Sequence, residues 1–547
     1  MILVWMAGNA GRFQIIWLSG ALFLAFSSVC FAAVWRHGGR WFFSRWALRF
    51  HAGVAATLIT LVVLFYTEEN WRGKRAWSAL QREATARGES TDWSSLAAPA
   101  VPADQNFAKA PGVAELLSLT NQPNSTWPYR YGFESRTSWA WQQFTDLVWW
   151  QKFFRDRAEN SVPAERRADT LTFPAAPEPQ TPAADVLFAL DKYAPSLATF
   201  RAASQRPALR LHDDYSKDYP YTLETDLGLE SLLSLGHLLC LRASAELQQG
   251  QSEAAFQDVL PALRLAHLVQ DEPYHYAQWR PLATMQFCLQ PVWEGLAAHR
   301  WNDQQLAALQ KQLEGQDWLT DYRRNVPGDT LAMLSLIDQV LAFAEGRSSE
   351  FARLDPGSEG VGFWGWVVRT LYPVGWLYQD KTQTCRFAQR FADPLVAASF
   401  RNEARDKLEA EDRSFTDPMF VVLVLPTLRR IYEGHAVESL LMQTFFQQAA
   451  TACALERFRL AQGQYPATLE ALTPVYLAQV PADILAPPPA KLKYLRASDG
   501  GFKLYSVGLD GVDNGGKVNS SFDPHLDIVW QLSKADSDLV WIQPGPR

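Results

Sequence analysis

Two apolar runs near the start of the chain constrain the fold before anything else does. Phe13–Trp35 reads FQIIWLSGALFLAFSSVCFAAVW, 23 residues without a charge. Phe50–Tyr66, FHAGVAATLITLVVLFY, adds 17 residues without Asp, Glu, Lys or Arg. A hydrocarbon layer about 30 Å thick takes roughly 20 helical residues, so the first run spans it and the second sits at the short limit. The segment between them carries Arg36, Arg40, Arg45 and Arg49 and no acid. Short basic loops stay on the cytoplasmic side. The predicted topology is therefore a helical hairpin with its turn inside and everything after Thr67 outside. Trp35, Trp41, Trp46 and Trp71 fall where an interfacial aromatic belt lies. Arg72, Lys74 and Arg75 pull the other way, and Glu68 and Glu69 count for little in this rule. The alternative for the first run is a cleaved signal peptide. Its apolar stretch exceeds the usual h-region, and Val29 precedes Cys30 where a lipoprotein site needs a small residue.

The remaining chain is globular in composition. At about 150 residues per domain, 547 residues make room for several units and a large core. Hydrophobic residues are 48% and charged residues 20%, which excludes wholesale disorder. With 51 basic against 58 acidic residues the net charge is −7, so a general nucleic-acid binder is excluded as a class. The cysteines Cys30, Cys240, Cys288, Cys385 and Cys453 form no CxxC pair, which removes zinc ribbons and thioredoxin-like redox motifs. An oxidising compartment would permit a Cys240–Cys288 bridge; the plainer reading is small buried side chains on helices.

Four regions follow: a membrane hairpin over 1–67, a mixed segment over 68–183, an α-helical array over 184–430 and a small α+β module over 431–547. The mixed segment opens on an amphipathic helix, ENWRGKRAWSALQREATARGES. Two Pro- and Ala-rich stretches, around 94–111 and 161–183, read as linkers. Trp127, Trp139, Trp141, Trp149 and Trp150 lie between them as core or inter-domain packing residues or as a carbohydrate or partner platform. In the array, Gly250 closes a buried helix over Leu229–Leu247 and Ser252 caps the next. Asn302 caps 303–314, and Asp329 caps 330–345 before Gly346. Leu232, Leu235, Leu239, Phe256, Leu263 and Leu334 are the expected core. The turn in AELQQGQSEAAFQDVLPALRLA resembles that of tetratricopeptide-like repeats, but no regular echo of it recurs, so the array is irregular. The aromatic stretch from Gly360 to Asp380 reads as a packed helix-loop or an interfacial dip, and VVLVLPTL from Val421 is too short to span.

The last region carries the most specific pattern. A long helix over Val437–Ala461 ends at Gly463; KLKYLRA and GFKLYSVG alternate as strands around a Ser498–Gly501 turn. In order, ALERFRLAQGQYPATLEAL (454–472), VPADI (480–484), the two strands, GLDGVDNGG (508–516) and LDIVW (526–530) resemble the soluble part of the type II secretion major pseudopilin family. That likeness covers about 95 residues. It implies a calcium site on Asp510, Asp513 and Asn514, closed by Asp527, with Asp523 in reserve. Calcium takes six to eight oxygens, which the acids and amides of this loop begin to supply, and the glycines permit its sharp turns. A pseudopilin begins with its hydrophobic helix; here the matching helix starts beyond residue 430, so the filament role does not carry over. EENWRGKRAW, VPADQNFA and ALERFRLAQGQYP together resemble uncharacterised bacterial membrane proteins. That likeness implies the inner membrane, with the bulk of the chain periplasmic.

No GxxxxGK[ST], HExxH, GxSxG or GxGxxG motif occurs. His212, Asp213 and Asp214 stand together, and with His237, His267 and His275 they form a candidate acid–base or metal cluster if the helices converge. A solvated turn is the plainer reading. The expectation is a non-catalytic, membrane-anchored, extracytoplasmic scaffold for a protein or peptide partner. The alternatives are an accessory part of a secretion or pilus-like machine, and an envelope hydrolase.

Overall fold

The structure is a computed structural model. It describes residues 45–92, 101–115, 146–159, 172–211, 223–270, 272, 286–347, 372–394, 425–486, 490–508, 513–516 and 539–543. Among them the helices, in chain order, are α1 (Arg45–Ala86), α2 (Leu147–Asp156), α3 (Pro182–Leu190), α4 (Ala194–Ala203), α5 (Leu223–Gln248) and α6 (Ser252–Val269). They continue with α7 (Leu289–Ala297), α8 (Asp303–Glu314), α9 (Trp318–Ala344), α10 (Val374–Arg390) and α11 (Leu425–Gln462). Strands β1 (Lys493–Arg496), β2 (Phe502–Ser506) and β3 (Leu539–Gln543) form one antiparallel sheet in that order. The chain is thus mainly helical with a small sheet. It divides into one unit of Met1–Arg75 with Tyr372–Trp376, and a second of Ala76–Leu371 with Leu377–Arg547.

The first unit is built on the apolar run of α1. Thr57, Thr60 and Thr67 turn their hydroxyls back onto the carbonyls of Gly53, Ala56 and Val63 at 2.9, 2.8 and 2.7 Å. These hydroxyls are satisfied within the helix, as an apolar solvent demands. Beyond the run, α1 meets the first turn of α10 backbone against backbone. A Cβ built on Gly73 would stand 2.0 Å from the Gly375 carbonyl oxygen, and one on Gly375 2.0 Å from that of Glu69. Only glycine permits this approach. Asn70 Oδ1 accepts from Gly375 N at 2.7 Å, and Trp376 Nε1 donates to Glu69 Oε2 at 3.0 Å. The Trp376 ring stands edge-on to Phe65.

The second unit has one large apolar core joining α2 to α9, α11 and the sheet. Asp146 caps α2 by accepting from Val148 N and Trp149 N, and Trp150, Phe153, Phe154 and Phe173 pack together beside it. Gly250, at φ +75°, turns the chain from α5 into α6. Asn302 and Gln305 make a reciprocal capping box at the start of α8. Leu232, Leu235, Leu239, Leu263 and Leu334 are buried as the periodicity requires. Apart from an isolated bridge at Ala208, 185–346 is free of strand among the described residues.

Several expectations need correcting. Asp329 does not start a helix: α9 begins at Trp318, is capped by Asp317, and runs through Pro327 and Gly328. Proline removes one backbone donor there. Packing on both sides of the break, by Tyr322 and Val326 and then Leu331 and Leu334, holds the helix together. Ser252 is the first residue of α6 rather than its cap. Phe256 is half-buried at the edge of the core. The two Pro- and Ala-rich stretches are docked where they are described. Phe107 and Phe173 are buried, and Asn106 Nδ2 donates to Arg210 O at 2.9 Å. The third strand was not anticipated. The first apolar run, Trp127, Trp139 and Trp141, and residues 348–371 lie outside the described residues.

Among the described residues two stretches are long and apolar enough to cross a membrane: Leu48–Ala86, whose most apolar window has 0% of its residues buried, and Asp303–Ala344, with 56% buried.

Candidate functional site

The C-terminal module is organised around two buried acids. Gly463, at φ +78°, ends α11 and aims Tyr465 into the core, edge-on to Phe502. The Tyr465 hydroxyl donates to Glu456 Oε2 at 2.5 Å. Arg459 donates to both oxygens of the same carboxylate at 2.7 and 2.9 Å, and His299 Nδ1 lies 2.8 Å away. Burial pushes the Glu456 carboxyl up, but these hydrogen bonds outweigh it and hold it below its usual range. Asp483 is the second acid. It accepts from Ser506 Oγ at 2.7 Å, Val507 N at 3.0 Å and Leu485 N at 3.1 Å, tying the turn to the end of β2.

β1 and β2 pair in register from Lys493 opposite Tyr505 to Arg496 opposite Phe502, and Asp499 Oδ1 accepts from Gly501 N across the turn. Of the expected calcium ligands, Asp513 and Asn514 are described; Asp510, Asp527 and the reserve Asp523 lie outside the described residues. Asp513 Oδ1 accepts from Gly515 N at 2.9 Å and from the Tyr505 hydroxyl at 3.2 Å, while Oδ2 faces Lys493 Nζ at 3.7 Å. The loop is therefore anchored on β2. Two adjacent side chains fall short of the six to eight oxygens that calcium takes. Among the described residues no group of three or more His, Cys, Asp or Glu side chains stands close enough to hold a metal ion.

The histidine cluster is not assembled among the described residues. His212, Asp213, Asp214 and His275 lie outside them. His237 is buried edge-on to Phe287, whereas His267 is exposed on α6. The polar centre of the array is a different one. Asp258 on α6 is fully buried and takes charge-assisted hydrogen bonds from Arg201 on α4 and Arg242 on α5. Arg242 Nη2 lies 2.7 Å from its Oδ1. Glu246 stands beside this pair, and burial, reinforced by the Asp258 charge, pushes its carboxyl up to about 7. The arrangement fastens three helices together and presents no nucleophile. Losing one partner would leave a buried charge uncompensated.

The described cysteines are free and buried. The Cys240 thiol lies in hydrogen-bond contact with Cys288, and that contact together with burial holds it well above its usual range. Cys240 is thus a poorly reactive thiol. On the outer side of α6, a cavity of about 380 Å³ opens against α8, lined by Leu260, Arg264, His267, Ala308, Lys311, Gln312 and Gly315. Of these only His267 stood out in the sequence. The others needed knowledge of which two helices pack side by side. No family model, no curated protein and no solved structure matches the chain.

Proposed function

We propose that this chain is a membrane-anchored, extracytoplasmic scaffold whose helical array binds a protein or peptide partner. The observation that carries the reading is the surface of α1. Leu58, Ile59, Leu61, Val62, Val63 and Leu64 are each more than half exposed on one continuous helix. At about 1.5–3 kcal/mol per large aliphatic side chain, leaving six in water costs on the order of 10 kcal/mol. Lipid removes that cost. The basic Arg36–Arg49 segment sets the orientation, with the turn cytoplasmic and the bulk of the chain periplasmic in a bacterial inner membrane. The test is fractionation and topology together. The full chain stays with membranes through alkaline carbonate extraction, and an export-dependent reporter fused after Arg547 is active. Release by carbonate sinks the anchor; activity of only a cytoplasmic reporter reverses the orientation.

A second reading is an accessory component of a secretion or pilus-like machine. The order of the C-terminal elements favours it: a long helix, the buried Tyr465 turn, Asp483 locked to β2, and the hairpin. α11 shares its core with the array through Leu440, Phe445 and Phe446, so the module is tested within the whole chain. Crosslinking in intact envelopes followed by recovery of pseudopilins supports this reading, and their absence removes it. Calcium belongs to the same reading. Millimolar calcium raises the melting temperature of the full chain, and Asp510→Ala abolishes the rise. An equal rise in the variant rules out this site.

A further inference from the structure

The cavity between α6 and α8 is built from two facing stripes. Leu260, Arg264 and His267 stand at i, i+4 and i+7 on α6, and Ala308, Lys311, Gln312 and Gly315 stand at equivalent spacing on α8. Gln305 Nε2 donates to Glu253 Oε2 at 2.7 Å, joining the N-terminal ends of the two helices. The helices therefore run in the same direction, and the cavity lies toward their C-terminal ends. Lys311 and His267 are exposed; Arg264 is half-buried, and its Nη1 is buried with no hydrogen-bond partner. No ion pair joins Arg264, His267 or Lys311 to an acid among the described residues.

The charge balance decides what such a cavity accepts. Two helix C-termini bring roughly half a negative charge each, which explains one basic residue beside them but not two with room between. Arg264 and Lys311 together outweigh the dipoles by about one charge. The nearest acid on α8, Glu314, is exposed and is not among the residues that line the cavity. The volume falls within the range of small-molecule sites and is too small for a folded partner. Leu260 and Ala308 supply an apolar wall beside the donors.

We infer that this cavity binds a small organic anion, with its oxyanion head on Arg264 and Lys311, Gln312 as a further donor and its short apolar body against Leu260 and Ala308. The site lies within one unit and needs neither the membrane anchor nor a macromolecular partner, so it goes beyond the scaffold reading. Calorimetric titration of the purified full chain tests it with three probes: hexanoate, succinate and inorganic phosphate. Saturable one-to-one binding of at least one probe is expected. Lys311→Gln, at an exposed position, weakens it at least tenfold, and Arg264→Gln weakens it as much with an unchanged circular dichroism spectrum. Lys311→Arg retains binding. Preference for hexanoate or succinate assigns a carboxylate head; preference for phosphate assigns a phosphate monoester. The inference is overturned if none of the three saturates at tens of millimolar, or if both glutamine variants bind as the parent does.

Discussion

Two stretches of this chain pass the same test of length and apolarity and end in opposite surroundings. In Leu48–Ala86 no residue of the most apolar window is buried by the protein; in Asp303–Ala344 more than half are. The second stretch is also broken: α8 stops at Glu314, and α9 starts at Trp318 under the Asp317 cap. Its side chains interlock with α11, where the Trp318 ring lies 5.2 Å from that of Phe446. It carries polar residues with protein partners as well. Tyr322 donates to Phe391 O at 2.8 Å, and Arg324 to Gln270 O at 2.7 Å. Among the described residues the apolar run of α1 is largely exposed, with Phe65 edge-on to Trp376 near its end, and the hydroxyls of its threonines are satisfied by its own carbonyls. Hydropathy alone does not separate a stretch that packs into the protein core from one that the protein leaves uncovered. The pattern of partners separates the two.

The largest effect expected from this contrast is a pair of truncations. Leu334→Ala removes a side chain that is 1% exposed in α9 and should cost about 2–5 kcal/mol in chemical denaturation. Leu58→Ala, at 58% exposure in α1, should stay within about 0.5 kcal/mol in detergent. Equal losses would show that the apolar run of α1 packs on protein after all.

Next is a pH effect on the helix that packs against α9. Burial pushes the Glu438 carboxyl on α11 up to about 8 from its ordinary 4.5. The folded state thus holds its proton more tightly than the unfolded chain does. This contribution is complete below pH 4.5 and is lost as the pH rises through 8. Glu438→Gln should therefore be more stable than the parent at pH 9, by on the order of a few kcal/mol in chemical denaturation, with the difference vanishing near pH 4. A difference independent of pH would contradict burial as the cause.

A smaller effect separates two glycines on α1 itself. Gly73→Ala drives a Cβ to within 2.0 Å of a backbone oxygen, so the crossing with α10 must open, at a cost of about 1–3 kcal/mol. A Cβ on Gly53 would meet nothing within 4 Å, so Gly53→Ala should be neutral or stabilising by up to about 1 kcal/mol through helix propensity. Thermal unfolding of both variants in detergent checks the pair.

What was legible in the sequence is local. The capping box at Asn302, the glycine stops at Gly250 and Gly463, and the β1–β2 hairpin all depend on residues a few positions apart. What was not legible depends on partners far along the chain. Phe107 pairs its ring with Phe200, so a Pro- and Ala-rich stretch that reads as a linker is docked. The C-terminal half of α11 serves the array and the C-terminal module at once, Glu456 meeting both His299 and Tyr465, which no period in its sequence reveals. The candidate sites divide the same way. Asp513 and Asn514 were visible as a loop, but the hold of Tyr505 and Lys493 on Asp513 was not. Arg264 and Lys311 look like ordinary solvated helix residues until α6 and α8 are placed side by side.

The smallest effect tests where the buried stretch begins. Asp329 had the sequence context of a helix start, with Pro327 and Gly328 before it, yet α9 passes through all three. The working cap is then Asp317. Its Oδ1 accepts from Thr320 N at 3.0 Å and its Oδ2 from the Thr320 hydroxyl at 2.7 Å. Asp317 is itself exposed, so its removal should register only through this cap. Asp317→Ala should cost about 1 kcal/mol, within the range of roughly 0.5–2 kcal/mol for lost N-caps, and Asp317→Asn or Asp317→Ser should restore most of it. A helix that started after Pro327 would leave Asp317 in a solvated turn, and its truncation would fall within the scatter of surface substitutions. Equilibrium unfolding of Asp317→Ala beside Asp317→Ser distinguishes the two. A loss that serine rescues places the first turn of α9 at Trp318, and no loss moves it beyond the proline.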